Sequence, residues 1–194
     1  MKKVFLVFAL ALSLFAFNNS NATDKKSDSN EAKYEITVTQ SGKEMGKIVL
    51  KLYTKDAPLH SRNFDSLVTA GAYNGTAFHR VIPGFMIQGG DPNSISGDKN
   101  TWGYGNPTQT RVPAEFSKTL KHKRGIISAA RSQDPNSAAS QFFICVTETP
   151  QLDGQYSIFG EVLNGLDVVD KIVNVQRDPR DNPLEKITMT IIKK

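Results

Sequence analysis

The sequence predicts a mainly β domain, a closed and mostly antiparallel structure with two helices. Three observations predict it. Short segments of alternating apolar and polar residues recur along the chain, only two segments carry a helical apolar face, and Gly or Pro punctuates the connections. Ile36-Thr37-Val38-Thr39 alternates first. Beyond a turn bracketed by Gly42 and Gly46, Ile48, Leu50 and Leu52 alternate with Val49, Lys51 and Tyr53, which reads as a hairpin. Asp56-Ala57-Pro58 opens a helix with Phe64, Leu67 and Val68 on one face and Gly71 as its stop. Gly and Pro crowd residues 83–113, so long loops there are expected to carry function. Gly125-Ile126-Ile127-Ser128 and residues 141–146 read as buried strands around a polar loop that turns at Asp134-Pro135-Asn136. Residues 158–162 form another strand. Leu166, Val169, Ile172 and Val173 give the second helical face, and residues 187–191 the last strand. No internal repeat and no domain boundary follows residue 34.

The 194 residues fit one domain with an extension, and 39% hydrophobic with 22% charged residues is ordinary globular composition. Met1-Lys2-Lys3 is a basic start, followed by an apolar run over residues 4–17 in which only Ser13 is polar. That run is shorter than the roughly 20 residues a membrane span needs. It suits the core of an export signal, and Ser20-Asn21-Ala22 supplies small residues for cleavage after Ala22. We therefore expect a signal peptide over 1–22, a flexible polar lead-in over 23–34 and one domain over 35–194, in a periplasmic or secreted protein with no membrane association after cleavage. An uncleaved anchor is the competing reading of the first segment. Cleavage removes two lysines and no acids, leaving 22 bases against 19 acids, so the net charge falls from +5 to +3.

Several chemistries are excluded. The chain has no G-x-S-x-G, Walker, H-E-x-x-H or C-x-x-C motif, and Gly103-Tyr104-Gly105 lacks the third glycine of a dinucleotide fingerprint. One cysteine, Cys145, allows no intramolecular disulfide and is expected as an inert thiol in an apolar strand. Of three histidines, His122 lies in Lys121-His122-Lys123-Arg124 and is expected in a solvated loop, its pKa depressed by its basic neighbours. His60 is expected as a surface or satisfied core residue. No metal site is expected. The basic cluster carries no interleaved aromatics, so a nucleic-acid partner is not expected.

The informative stretch runs Phe78-His79-Arg80-Val81-Ile82-Pro83-Gly84-Phe85-Met86-Ile87-Gln88-Gly89-Gly90-Asp91. If Arg80 lies on a strand, Ile82 points the same way, and Phe85 or Met86 returns to that face across the Pro83-Gly84 turn, followed by Gln88. Spacing alone leaves open whether this is a site or plain core with a surface arginine. The stretch closely resembles the signature of the cyclophilin family of peptidyl-prolyl isomerases. Gly125-Ile126-Ile127-Ser128-Ala129-Ala130-Arg131, Ser140-Gln141-Phe142-Phe143-Ile144 and Leu152-Asp153-Gly154 continue the resemblance in order, over about residues 35–194.

The resemblance implies a closed eight-stranded antiparallel β-barrel capped by two α-helices. It also implies a cofactor-free isomerase of X–Pro bonds, usually monomeric, whose partners are proline-containing unfolded or extended polypeptides. By that resemblance Arg80 is the catalytic donor, and Gln88 orients it and the substrate carbonyl. Phe85, Met86, Phe143 and Leu152 wall the proline pocket, and the backbone of Ala130 and Arg131 pairs with the peptide. Gln141 lies at the neighbouring subsite, Tyr156 takes the place of a rim histidine, and His79 flanks the site. Two departures stand out: Gln151 replaces the tryptophan that, with the rim histidine, helps many members hold cyclosporin, and Arg131 replaces a common asparagine. A proline-peptide-binding chaperone or scaffold with incidental catalysis is the alternative reading.

Overall fold

The structure, a computed structural model, describes Met1 and residues 32–194. The expected export signal and nearly all of the lead-in lie outside the described residues. Eight strands form the scaffold: β1 (Lys33–Gln40), β2 (Lys43–Leu52), β3 (Ala77–Ile82), β4 (Met86–Asp91), β5 (Ile126–Ala129), β6 (Phe142–Cys145), β7 (Ile158–Asn164) and β8 (Ile187–Lys193). They close into an antiparallel barrel in the order β1-β2-β7-β5-β6-β4-β3-β8, with β8 returning to β1. The helices are α1 (Pro58–Thr69), the single turn α2 (Asn93–Ser96) and α3 (Leu166–Val173). Among the described residues no helix is long and apolar enough to cross a membrane.

β1 starts two residues ahead of the expected domain start, because Tyr34 is buried, packs edge-on against Phe64 at 5.5 Å and donates to Asp65 at 2.6 Å. The first hairpin is tighter than the spacing of Gly42 and Gly46 indicates. Gln40 pairs with Lys43 across Ser41-Gly42, both at positive φ, the two-residue loop whose twist matches paired strands. Gly46 sits inside β2 at φ +140°, where a Cβ would come within 2.5 Å of Val168 on α3. Its lack of a side chain serves helix packing, not the turn.

Strand alternation sends Ile36, Val38, Ile48, Leu50, Ile127 and Ile144 into the barrel, where Phe64 of α1 and Val169 and Ile172 of α3 join them in one buried cluster. Phe64 is the hub, with Tyr73, Phe142 and Phe159 rings 5.1–5.7 Å away. Helix α1 has Pro58 in its first turn, as expected, but its free N–H groups are not capped locally. Glu115, on the long loop, accepts from Leu59 N and His60 N at 2.9 Å each and bonds His60 Nδ1 at 2.6 Å. This makes His60 a buried core residue. Replacing Glu115 with Ala should therefore cost about 2 kcal/mol, the loss of a helix cap together with partly buried partners left unpaired. A lowered urea midpoint at unchanged m value would show it, and an unchanged midpoint would refute the long-range cap.

Candidate active site

β6 is buried on both faces because a second, smaller apolar cluster lies outside the barrel wall. Met86, Phe143 and Cys145 form its centre, with Ile82, Phe85, Ala130, Leu152 and Tyr156 packed around them. Register explains the placement. Gln88 on β4 pairs with both Arg80 on β3 and Phe143 on β6, and Phe143 in turn faces Ser128 on β5. Arg80, Gln88, Phe143 and Ser128 thus form one row across four strands, all on the outer face. Ile82, Met86 and Cys145 form the parallel row beside it. The turn between the two β3–β4 arms is Pro83-Gly84, with Gly84 at φ +72° and Phe85 N bonding Ile82 O at 3.0 Å.

The two rows and the segments above them enclose a cleft of about 100 Å³. Phe85, Met86, Phe143 and Leu152 form its apolar walls; Arg80 and Gln88 lie along one side, Ala130, Arg131 and Tyr156 along the other. Nine of the eleven site residues expected from sequence therefore line one cavity. Among the described residues no side-chain hydrogen bond or ion pair ties down the Arg80 guanidinium, so a permanent cation with unspent donors stands at the mouth of an apolar pocket. Gln88 does not bond Arg80. Its Nε2 donates to Gln141 Oε1 at 3.0 Å, and Gln141 Nε2 donates to Gly103 O at 3.1 Å.

Gln141 lines a larger and more polar pocket next door, about 310 Å³, which shares Gln88, Ala130 and Arg131 with the cleft. The loop over residues 103–105 forms its rim. Buried Asp91 holds that loop, accepting from Gly103 N at 2.6 Å, Gly105 N at 3.2 Å and Asn93 N at 3.0 Å. Arg131 separates the pockets and is itself fixed: its guanidinium stacks 4.5 Å over the Tyr156 ring and donates to the carbonyls of Gln155, Ser132 and Gln133. His79 lines neither pocket. It is buried behind the site, near Gly103, and burial pushes its pKa down against the opposing pull of Asp91.

His122 is the residue that sequence reasoning misplaced. Its ring is fully buried, with Nδ1 2.9 Å from Asp153 Oδ1 and Nε2 2.9 Å from Ser128 Oγ. Its pKa is indeed depressed, but the cause is burial, with Asp153 opposing it, and not the basic neighbours. The distances match a Ser-His-Asp triad, yet Ser128 and His122 are both wholly enclosed, so the hydroxyl is not placed to attack a substrate. Cys145 is buried too, its thiol pushed up to about 11 by desolvation, and is inert as a nucleophile. Among the described residues no group of three or more His, Cys, Asp or Glu could hold a metal ion.

The unpaired Arg80 guanidinium beside an apolar cleft, on the wall of an eight-stranded barrel, is the arrangement that the sequence resemblance implies, and comparison with known proteins agrees. Residues 33–194 match the family model described as cyclophilin type peptidyl-prolyl cis-trans isomerase/CLD. The chain belongs to the cyclophilin-type peptidyl-prolyl cis-trans isomerase family. It is 44% identical over 167 residues to a probable peptidyl-prolyl cis-trans isomerase of Brucella suis, covering 84% of this chain and 80% of the relative. A peptidyl-prolyl cis-trans isomerase of Schizosaccharomyces pombe is 41% identical over 143 residues, 74% of this chain and 89% of the relative. Among solved structures, a cyclophilin-type isomerase of Cryptosporidium parvum superimposes with a TM-score of 0.75 at 30% identity, covering 85% of this chain and 98% of that one. A second structure of that protein, determined in the presence of the dipeptide Ala-Pro, gives 0.73 at 32% identity, covering 84% and 98%.

The two buried imidazoles set a pH prediction for this cyclophilin. Both His79 and His122 have folded pKa values below the unfolded one, so the unfolded chain binds more protons as pH falls. Their contribution to stability is complete above about pH 6.5, the ordinary histidine value, and is lost as pH drops through the depressed folded values. The urea midpoint should fall between pH 7.5 and pH 5. A midpoint constant over that range would mean the rings take up protons equally in both states.

Proposed function

We propose that the protein accelerates cis-trans isomerisation of X–Pro bonds in exported polypeptides and so assists their folding. The observation that carries this reading is the unpaired Arg80 guanidinium beside the Phe85, Met86, Phe143 and Leu152 walls. An X–Pro bond turns slowly because amide resonance sets a barrier of roughly 18–20 kcal/mol. In the twisted transition state the prolyl nitrogen loses conjugation and becomes a hydrogen-bond acceptor. A fixed donor aimed at that nitrogen binds the twisted form better than either planar form, which is the differential binding that catalysis requires. The apolar walls hold the ring, and Gln88 and Gln141 present amide groups for the backbone of an extended peptide. The reaction consumes no nucleophile and transfers no proton, so the enclosed triad and the inert thiol are consistent with it.

The export part rests on the N-terminal pattern: a basic start, an apolar run and Ser20-Asn21-Ala22. N-terminal sequencing of the exported protein should begin at Thr23, and fractionation should place it outside the cytoplasm. A chain still starting at Met1 in the membrane fraction would replace the signal by an anchor. We expect a monomer, measurable by light scattering.

Exchange NMR on an Ala-Pro peptide tests the activity. The mature protein should accelerate cis-trans exchange, and Arg80→Ala should lower the rate at least tenfold, about 1.4 kcal/mol of transition-state stabilisation, while peptide affinity changes less. Equal losses in rate and affinity would favour the binding-module reading. Gln151 lies on the exposed turn before Leu152, where an indole is absent, so cyclosporin should inhibit weakly and Gln151→Trp should strengthen inhibition. Identical inhibition of both proteins would show that position 151 does not face the drug.

The polar pocket sets substrate preference. Arg80, Arg111 and Arg131 line the two adjoining cavities; Asp134 lies 3.8 Å from Arg111, but no carboxylate lines either cavity among the described residues. Peptides with Glu beside the Ala-Pro unit should have a higher kcat/KM than the Lys counterparts, with the difference shrinking in high salt. Equal values at low salt would show that these guanidinium groups do not meet the substrate.

A further inference from the structure

The row Arg80–Gln88–Phe143–Ser128 does not stop at Ser128, and what lies at its end has no part in the chemistry above. His122 Nε2 contacts Ser128 Oγ, and the imidazole plane lies 13° from that of Phe143 with ring centroids 6.1 Å apart. The same residue anchors the segment carrying the opposite wall of the cleft. Thr149 N donates to His122 O at 2.8 Å, and Asp153 Oδ1 accepts from His122 N at 2.9 Å, so the turn Pro150–Leu152 is clamped at both ends. Tyr156 follows, its N bonded to Leu152 O at 3.2 Å and its ring edge-on to Phe143 at 5.7 Å. His122 thus packs on the Phe143 ring and holds the segment that carries Leu152 and Tyr156.

The chemistry of the partners fixes the tautomer. Asp153 is held ionised: burial works against the charge, but the His122 backbone and ring hydrogen bonds and the Lys121 ammonium, 3.2 Å from Oδ2, outweigh it. A carboxylate only accepts, so Nδ1 carries the hydrogen, and Nε2 must accept from the Ser128 hydroxyl. With both nitrogens bonded, the imidazole is held in one plane, and the Phe143 ring packs nearly parallel to it. A packing residue of similar size would fill the space without fixing that plane.

We propose that His122 is a positioning residue for prolyl isomerisation, its neutral imidazole, spanned between Asp153 and Ser128, setting the plane of Phe143 and the reach of Leu152 toward Arg80. The inference rests on the isomerase reading. Proton uptake at Nε2 would turn an acceptor into a donor facing Ser128, force the hydroxyl to rotate and loosen the wall. The groups facing the imidazole are Asp153 and, through it, Lys121; the Cys145 thiol, beside Thr149 at 3.6 Å, is pushed up to about 11 and stays neutral over the range concerned.

The test begins with wild-type exchange on an Ala-Pro peptide; no acceleration there overturns the isomerase reading and this proposal with it, whereas acceleration isolates the positioning role for the steps that follow. Given activity, nitrogen NMR of the imidazoles at pH 7.5 should show His122 protonated at Nδ1 and bare at Nε2; the reverse tautomer overturns the proposal. Ser128→Ala, which keeps the ring, should lower kcat about threefold, and His122→Asn about tenfold, each with KM changed less than twofold. A folded variant with wild-type kcat, or a loss carried entirely in KM, overturns it. If His122→Asn fails to fold, Ser128→Ala and the tautomer still decide. Finally, kcat of the wild type should fall at acid pH along the His122 titration seen by NMR, and that fall should be absent in a folded His122→Asn. A fall that persists in the variant assigns the titration elsewhere and overturns the proposal.

Discussion

Everything in the cleft depends on the pairing of β4 with β6, which sets Gln88 opposite Phe143. In a closed barrel alternate side chains point inward and outward, so a one-residue slip turns over the strand that slips: β4 would send Ile87 out and Gln88 into the core, β6 would send Ile144 out and Phe143 in. In the first case the interior would have to accept an amide, and in the second the outer wall would lose its aromatic floor. The buried cluster around Phe64 and the outer cluster around Phe143 are therefore alternative faces of the same strands. The stability of one enforces the geometry of the other.

The polar parts of the site are built differently, by hydrogen bonds that reach over long loops. Asp91 ends β4 inside the protein and holds the 103–105 loop by its backbone N–H groups, while Gln141 ties the same loop to Gln88. Arg131 spends its donors on three carbonyls and its face on Tyr156. Groups held in this way lose little freedom when a peptide arrives, so binding costs less ordering than a flexible rim would. Arg80 is the exception: its donors are uncommitted, which is what the proposed role as a transition-state donor requires.

The strands and both long helices were legible because their signal is local: period two or period 3.6 over a few residues, with Gly and Pro between. The residues that line the cleft were legible wherever they fall on strands of known face, as with Arg80, Met86, Gln88 and Phe143. The failures have a common cause. Glu115 caps α1 from 55 and 56 residues away, and Asp153 reaches His122 across 31, distances over which side-chain pattern carries no information. The neighbours Lys121, Lys123 and Arg124 are exposed, while the His122 ring between them turns inward. Glycine marks turns in general, but Gly46 lies within β2 and its task is to admit Val168.

The seam where β8 returns to β1 has a further consequence. Lys194 N bonds Lys33 O at 2.8 Å and its ammonium meets Glu35 at 2.7 Å, so the two ends of the domain leave the barrel side by side. In the circular strand order β6 lies four steps from β1, the far side of the ring. Lys33 and Lys194 therefore sit across the ring from the strand that carries Phe143. The domain is thus suited to tethering, to fusion in either order, and to circular permutation through a short bridge across the seam, with its working face left open.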